Sequence, residues 1–209
     1  MRVYETFRSL QGETTRAGVP MDFIRLAGCP LGCTYCDTPA ARDPAAGREM
    51  TVAEVVSALP SPPLEWLMIT GGEPLLQVDA VNALVAALAE AGRRTLVETC
   101  GAVSTAGLDA RAVRILDVKT PGSGMAERMD WANLDCLRPV DEVKFVLTDR
   151  ADYEWARGLV AERRLLERAA VLFGPARPHL AARQVADWLL ADGLGVRLNL
   201  QIHKGLGLP

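Results

Sequence analysis

Three of the five cysteines lie close together, in the stretch 28–38 with the sequence Gly-Cys-Pro-Leu-Gly-Cys-Thr-Tyr-Cys-Asp-Thr. Cys29, Cys33 and Cys36 are spaced Cys-x3-Cys-x2-Cys on a segment that contains two glycines and a proline. Thiolate sulfur is a good ligand for soft metal centres such as zinc, copper and iron–sulfur clusters. The spacing therefore predicts a metal centre bound by three thiolates on one loop.

The number of clustered thiols indicates which metal centre this is. A structural zinc site takes four protein ligands, but the remaining cysteines, Cys100 and Cys136, lie far away in the sequence. A 4Fe–4S cluster held by three cysteines leaves one iron without a protein ligand, and that iron can bind a reactant. Zinc with a distant fourth ligand stays open as an alternative. Burial of all three thiols in a hydrophobic core is a weaker alternative, because core cysteines have no reason to share a Gly- and Pro-containing loop.

The composition is that of a folded protein that binds a small molecule. Of 209 residues, 49% are hydrophobic and 23% are charged, and the net charge is −3. The 23 Lys and Arg residues form no dense run, so no electrostatic footprint for nucleic acid is present. An odd number of cysteines argues against a disulfide framework. Because no signal peptide and no membrane-spanning apolar stretch is recognised, we expect a cytoplasmic protein.

Strands and helices alternate along the chain. After an extended segment over 3–13, strands are predicted over 23–27, 64–70, 95–98, 114–118, 143–147, 171–173 and 196–202. Helices are predicted from a capping box at Thr51 and Glu54 to Pro60, from Val81 to Gly92, over about 151–168 and over 185–190. This alternation indicates a parallel sheet, because parallel neighbours need crossover connections. Both a partial barrel and a doubly wound sheet place ligands at the carboxyl ends of the strands.

A second motif, Gly-Gly-Glu-Pro at 71–74, follows one predicted strand directly. Glycines without a Cβ let a ligand approach the backbone, and Glu73 offers an acceptor for an ammonium group. A plain turn is the alternative. The motif and the cysteine loop, with Tyr35 between the last two cysteines, together resemble the radical S-adenosylmethionine (SAM) enzymes.

This resemblance implies a fold, two cofactors and a set of contacts. The implied fold is α/β, an incomplete TIM-like parallel β/α barrel formed by one domain over 1–209. A 4Fe–4S cluster on the three clustered cysteines would cleave SAM to a 5′-deoxyadenosyl radical that abstracts a substrate hydrogen. The implied SAM contacts are Tyr35, Cys36, Asp37, Gly72, Glu73, Glu98, Lys119, Phe173, Gly174 and Pro175. For Glu98 and Lys119, an ion pair at the barrel rim is an equally good interpretation.

The flanking residues resemble one family in particular, the 7-carboxy-7-deazaguanine synthases. The segments that carry this resemblance are 10–13, Arg25 with the following cysteine loop, 36–38 and 201–209. It implies conversion of 6-carboxy-5,6,7,8-tetrahydropterin to 7-carboxy-7-deazaguanine with loss of ammonia, on the route to queuosine and other deazapurines. It also implies dependence on magnesium. We further expect a homodimer and a flavodoxin-like electron donor.

The same resemblance implies substrate contacts from both ends of the chain, over 1–20 and 203–209. These contacts are Leu10, Gln11, Gly12, Glu13, Arg25, Thr70, His203 and Pro209, the last through a terminal carboxylate, with Thr38 as the magnesium ligand. Gln11 and Glu13 suit the amide-like edge of a pterin, and Arg25 offers a planar fork to its carboxylate. The alternatives are a frayed terminus for Pro209, a packing role for His203 and a turn hydroxyl for Thr38.

Two residues depart from the family pattern, and two other functions stay open. Cys100 stands where relatives often have Asn, which removes an amide able to reach SAM, and Thr14 replaces a frequent glycine. An activating enzyme that installs a glycyl radical on a partner protein has the same cysteine spacing. A zinc- or cluster-binding module without catalysis is the other alternative.

Overall fold

The computed structural model describes all 209 residues and contains one nine-stranded sheet. The strands are β1 (Arg2–Leu10), β2 (Pro20–Leu26), β3 (Arg48–Glu49), β4 (Trp66–Gly71), β5 (Arg94–Thr99), β6 (Val113–Val118), β7 (Glu142–Leu147), β8 (Ala170–Pro175) and β9 (Arg197–Leu198). The helices are α1 (Val52–Ser57), α2 (Val78–Glu90), α3 (Arg150–Glu162), α4 (Ala182–Asp192) and α5 (Ile202–Gly205), with seven short 3-10 turns elsewhere. None of the helices combines the length and the apolar character needed to cross a bilayer.

The strand order β3-β1-β2-β4-β5-β6-β7-β8-β9 gives an incomplete parallel barrel. From β2 to β9 all neighbouring strands are parallel, while β1 pairs antiparallel with both β2 and β3. The parallel neighbours are joined by crossovers, several of them helical, as parallel pairing demands. The edge strands β3 and β9 do not pair with each other, so the barrel stays open. The predicted α/β partial barrel is confirmed.

The helices cover the outside of the sheet with apolar faces. Val81, Leu84, Val85 and Leu88 of α2 are buried at the predicted helical spacing and pack with Leu67 and Ile69 of β4. On the other half of the sheet, Phe173 packs edge-on against Phe145 and Tyr153, with ring centroids 5.2 Å and 5.7 Å apart. These two clusters fix the strands whose carboxyl ends form the candidate site.

The inner face of the barrel changes from apolar to charged along the strands. Leu96 and Ile115 belong to a small apolar cluster inside the barrel. Two residues further along the same strands, and so on the same face, lie Glu98 and Asp117. Burying charged side chains here is costly unless they are paired, so this layer points to function.

A loop over residues 11–19 closes the amino end of the barrel. Arg16 stacks over the ring of Trp66, the first residue of β4, at 4.4 Å, and forms a 2.8 Å ion pair with Glu142, the first residue of β7. The Thr14 amide donates to Asn199 at 2.9 Å. This loop therefore packs against the amino end of the barrel, and its first residues reach the cavity.

Most predicted elements are confirmed, but two boundaries were wrong. The capping box of Thr51 and Glu54 is present at the start of α1. The helix predicted over 151–168 ends at Glu162, because Arg164 adopts a left-handed φ of +50° before a 3-10 turn. The last strand, predicted over 196–202, contains only Arg197–Leu198, because Ile202 already begins α5.

One buried carboxylate joins α3 to the ends of two strands. Asp152 is 2% exposed, and its Oδ1 accepts from the Gly122 amide at 2.8 Å. Its Oδ2 accepts from the Thr120 hydroxyl at 2.9 Å and from the Thr148 amide and hydroxyl at 2.9 Å and 2.7 Å. The loops after β6 and β7 are held in this way.

We predict that Asp152→Asn lowers the free energy of unfolding by about 1–3 kcal/mol, because one buried N–H group would face the new amide NH2 without an acceptor. Urea denaturation measures the loss. Asp187→Asn on α4 is the matched control, since Asp187 is half-exposed, and it should change stability by less than about 0.5 kcal/mol. Equal effects of the two substitutions would contradict the assignment.

Candidate active site

A cavity lies at the carboxyl ends of the parallel strands, beside the cysteine loop. Of the residues predicted from the sequence to form the site, it is lined by Leu10, Gln11, Gly12, Glu13, Arg25, Cys29, Cys33, Tyr35, Cys36, Asp37, Thr38, Thr70, Gly72, Glu98, Lys119, Gly174, Pro175, His203 and Pro209. Only Glu73 and Phe173 of the predicted set are not among the lining residues. Segments far apart in the sequence thus meet in one place.

The cysteine loop is held by backbone hydrogen bonds on both sides. Gly28 and Cys29 donate to the carbonyls of Ala41 and Arg42 at 2.8 Å and 3.1 Å, and Thr34 donates to the carbonyl of Ser123 at 3.1 Å. All three loop cysteines are free, partly exposed and in contact with the cavity. The loop therefore presents its thiols to the same space as the strand ends.

The chemistry of these thiols suits an iron–sulfur cluster. No three His, Cys, Asp or Glu side chains approach closely enough to bind a single metal ion. In a four-iron cube each thiolate binds a different iron, so its ligands stand further apart than the four ligands of a tetrahedral zinc ion. A set of three soft sulfur donors around one cavity suits such a cluster.

A fourth thiol lies next to the loop. The neighbouring Cys100 thiol lowers the pKa of Cys29 to about 6. Burial raises the pKa of Cys33. Cys100 is itself buried, and its backbone amide donates to Glu73 at 2.6 Å. The departure from the family pattern at this position therefore places a thiol, instead of an amide, beside the metal-binding loop.

The Gly-Gly-Glu-Pro motif has a structural role that the sequence did not reveal. A Cβ on Gly71 would lie 2.2 Å from the Leu26 carbonyl oxygen, and one on Gly72 would lie 2.1 Å from that of Gly28. Both glycines are therefore required by the close packing of the end of β4 against the start of the cysteine loop. This contact, and not only the approach of a ligand, explains the glycine pair.

Two residues predicted to contact SAM, Glu73 and Phe173, do not line the cavity. Glu73 is fully buried, and its carboxylate accepts hydrogen bonds from the Thr99 hydroxyl, the Cys100 amide and the Leu75 amide at 2.6–2.9 Å. Its oxygens are already used to join β4 to β5, and they are not directed at an ammonium group. Phe173 is fully buried in the hydrophobic core, so only Gly174 and Pro175 of that turn reach the cavity.

The carboxyl-terminal segment lies against the amino-terminal one at the cavity wall. The Ile202 amide donates to the Gly12 carbonyl at 3.0 Å, and Gln201 donates to Glu13 at 2.8 Å. The His203 ring packs directly on Gly12, where an added Cβ would lie 1.5 Å from Nδ1. This Nδ1 is buried without a hydrogen-bond partner, and burial lowers the pKa of His203. His203 is therefore packed against Gly12 and also has a ring nitrogen without a hydrogen-bond partner.

Further contacts hold this segment over the site. Lys204 donates to Asp37 at 2.8 Å. Although burial would raise the pKa of Asp37, this bond and the Lys204 charge lower it to about 2. The carbonyl oxygen of Pro209 accepts from the Ser9 hydroxyl at 2.9 Å. The segment therefore contacts both the cysteine loop and β1.

Arg25 and Thr38 also line the cavity. The Arg25 Nε atom donates to Glu5 at 2.7 Å, and Nη1 donates to the Thr38 hydroxyl at 3.2 Å. The Thr38 hydroxyl in turn donates to Asp37 at 3.3 Å. A guanidinium and a small group of oxygen donors therefore lie side by side at the edge of the cavity.

A cluster of mostly buried charged side chains lines the floor of the cavity, and sequence reasoning missed its central residue, Lys144. The Lys144 ammonium contacts Glu13 at 2.9 Å, Asp117 at 3.4 Å and also Glu98. Lys119 pairs with Asp117 at 2.9 Å. Glu98 and Lys119 therefore form ion pairs, as one interpretation of the sequence predicted. They pair with Lys144 and Asp117 and not with each other, and these pairs lie inside the barrel and not at its rim. A lysine at an inward position of an apolar strand is the signal that could have identified Lys144.

These charges hold one another in their ionised forms. Burial would lower the pKa of Lys144, but the three carboxylates raise it well above its usual value. Burial would raise the pKa of Glu13 and of Asp117, but the neighbouring lysines lower both. The layer therefore contains fixed charges at neutral pH, and not groups poised to exchange protons.

The second departure from the family pattern has a backbone explanation. Thr14 is buried and has a left-handed φ of +69°, a conformation that costs a β-branched residue energy and suits glycine. The hydrogen bond from its backbone amide to Asn199 stabilises this conformation. Glycine would adopt this backbone conformation without strain, and the loop also keeps it with threonine at this position.

We predict that Gly12→Ala displaces His203 and loosens the segment 202–208, because the new methyl group would overlap the ring. Overpacking of this kind costs about 1–3 kcal/mol, and hydrogen–deuterium exchange at the Ile202 amide should accelerate accordingly. The matched control is Gly158→Ala in α3, where a Cβ meets nothing within 4 Å. Unchanged exchange in Gly12→Ala would show that His203 does not pack there.

Comparison with known proteins places this site in a family. Residues 23–120 match the model of the radical SAM superfamily. The chain is 40% identical over 212 residues to the 7-carboxy-7-deazaguanine synthase of Chlorobaculum tepidum, an alignment that covers 100% of this chain and 95% of the relative. It is 38% identical over 223 residues to the enzyme of the same name from Koribacter versatilis, covering 100% and 98%.

A solved structure shows the same fold. The crystal structure of QueE from Escherichia coli superposes with a TM-score of 0.74 over 96% of this chain and 93% of that chain. The sequences are 22% identical, so this likeness concerns the architecture, including the open barrel.

Proposed function

The chain belongs to the family of 7-carboxy-7-deazaguanine synthases within the radical SAM superfamily, and we propose that it converts 6-carboxy-5,6,7,8-tetrahydropterin to 7-carboxy-7-deazaguanine with loss of ammonia. The observation that supports this reaction most is the meeting of three thiols with Gln11, Glu13 and Arg25 in one cavity. The thiols suit the cofactor of the superfamily, Gln11 and Glu13 suit the edge of a pterin, and Arg25 suits its carboxylate.

Residues of the cysteine loop and of the strand ends would hold the cofactors. Cys29, Cys33 and Cys36 supply the ligands of a 4Fe–4S cluster. When bound, the cluster and SAM supply a 5′-deoxyadenosyl radical. The cavity-lining residues proposed to contact SAM are Tyr35, Cys36, Asp37, Gly72, Glu98, Lys119, Gly174 and Pro175. Tyr35 offers an aromatic face for adenine, and its buried hydroxyl has no partner in the protein.

Residues of the two terminal segments would orient the substrate. The Gln11 amide and the Glu13 carboxylate can pair with the donors and acceptors of the pterin edge. Arg25 presents a planar cation to the substrate carboxylate, and the imidazole of His203 can bond to a ring substituent. Thr70, already bonded to Glu98 at 3.1 Å, and Leu10 complete the wall. The segment over 201–209 then limits the access of water to a reactive radical.

Several broader features belong to the same proposal. We infer one domain over 1–209, a homodimer in the cytoplasm, and reduction by a flavodoxin-like donor. The product would enter queuosine or another deazapurine. The rival function is that of an activase for a glycyl-radical enzyme. The segment 201–204, which is hydrogen-bonded to Glu13 and Asp37, argues against it, because a loop of a partner protein would have to displace this segment to reach the cavity.

The reaction is tested by incubating reduced, reconstituted protein with SAM and the carboxy-tetrahydropterin under anaerobic conditions. We expect 7-carboxy-7-deazaguanine by mass spectrometry in the native protein and none in Cys33→Ala, which lacks one cluster ligand. Cleavage of SAM without formation of the deazapurine would contradict the proposed substrate and favour the activase.

Magnesium is proposed to bind at Thr38. The hydroxyl is an oxygen donor with Asp37 beside it, and Mg²⁺ ordinarily keeps several waters and takes substrate oxygens as further ligands. A cation on this hydroxyl would compete with Arg25, which donates to the same oxygen. Arg25 would then be free to turn towards the substrate carboxylate.

We predict that Thr38→Ala raises the magnesium concentration needed for half-maximal activity on the order of tenfold, the size of effect seen when a metal site loses support. Thr38→Ser keeps the hydroxyl and should behave like the native protein. The measurement is a magnesium titration of initial rates. If the requirement of Thr38→Ala equals that of Thr38→Ser, Thr38 does not bind the metal.

A further inference from the structure

Lys144 lies at the centre of the buried charge layer without facing solvent. Its side chain is 7% exposed, and the ammonium contacts Glu13, Glu98 and Asp117. These three carboxylates come from the amino-terminal loop, β5 and β6. One ammonium group therefore connects three separate parts of the chain at the floor of the cavity.

The partners of Lys144 continue into both halves of the proposed site. On one side, Glu98, which is also a proposed SAM contact, accepts from Thr70 at 3.1 Å and Glu13 accepts from Gln201 at 2.8 Å, and Glu13 and Thr70 are proposed substrate contacts. On the other side, Asp117 pairs with Lys119, which lies 5.9 Å from the centre of the Tyr35 ring. The Lys144 ammonium is thus the link between the substrate half and the SAM half.

We propose that Lys144 is a positioning residue that holds Glu13 and Glu98 in place and sets the charge of the cavity floor in favour of an anionic substrate over cationic SAM. This inference rests on the proposed function and deepens it. It adds a residue to which neither the motifs nor the resemblance gave a role.

The charges of the layer determine the sign of the effect. Glu13, Glu98 and Asp117 carry three negative charges against the two positive charges of Lys119 and Lys144, so the layer has a net charge of about −1. Loss of the Lys144 charge makes this −2. The pterin substrate carries a carboxylate and is repelled more strongly, whereas SAM, with its sulfonium and ammonium groups against one carboxylate, is a net cation.

A role in stability alone would have a different signature. Buried ion clusters are poor stabilisers compared with apolar packing, because desolvation offsets much of the attraction. If Lys144 only held the barrel together, its loss would loosen both halves of the site and weaken both ligands alike. Opposite responses of the two ligands therefore distinguish positioning and charge from general loosening.

The test measures the two ligands separately in reconstituted protein. In Lys144→Gln we expect the substrate KM to rise on the order of tenfold, the size of one added charge repulsion at about 8–10 Å in a medium of intermediate dielectric. The SAM dissociation constant, measured by anaerobic calorimetry without substrate, should stay the same or fall. Lys144→Arg keeps the charge and should restore both values to near those of the native protein.

Asp117→Asn makes the opposite charge change in the same layer and keeps the inference testable if Lys144→Gln does not fold. Here the substrate KM should fall and SAM binding should weaken. Arg183→Gln, which removes an 85% exposed charge on α4, is the control and should change neither.

Parallel weakening of both ligands in Lys144→Gln, or no change in either ligand, would overturn the inference while leaving the reaction intact. Native protein that binds SAM but does not convert the pterin would overturn the proposed function and this inference together. A substrate KM that moves in the same direction in Lys144→Gln and Asp117→Asn would also reject the charge argument.

Discussion

The position of the three thiols depends on a backbone contact between the end of β4 and the start of the cysteine loop. Gly72 donates to the Leu26 carbonyl at 2.9 Å and Glu73 donates to that of Gly28 at 2.7 Å. Only glycine fits at 71 and 72, because a Cβ at either residue would overlap the opposing carbonyl. The buried Glu73 carboxylate then connects the same point to Cys100 at the end of β5. Loop, β4 and β5 consequently form one rigid support for a metal centre.

The second constraint is electrostatic and lies one layer below. An inward carboxylate on each of β5 and β6, and Glu13 from the loop over 11–19, are held by the single ammonium group of Lys144. Buried charges of one sign would be unfavourable without such a partner. The same arrangement brings the amino-terminal loop into the barrel. The proposed substrate site and the closure of the barrel's amino end therefore depend on some of the same contacts.

Sequence patterns predicted those parts of the molecule that local rules determine. Alternation of strands and helices and the capping box at Thr51 follow from short segments, and both were confirmed. The role of Glu73 could not be predicted, because its partners Thr99 and Cys100 come from another strand. Lys144 was missed for the same reason, since nothing nearby in sequence shows that three distant carboxylates meet it. The break at Arg164 depends on a single left-handed residue that carries no glycine signal.

The central claim, that three thiols on one rigid loop hold a four-iron cluster with an open iron facing the pterin cavity, is tested most directly by metal analysis and electron paramagnetic resonance. Anaerobic reconstitution should give about four irons and four sulfides per chain. The spectrum of the reduced protein should change when SAM is added. Fewer than four irons and sulfides, or a spectrum that SAM leaves unaltered, would contradict the account.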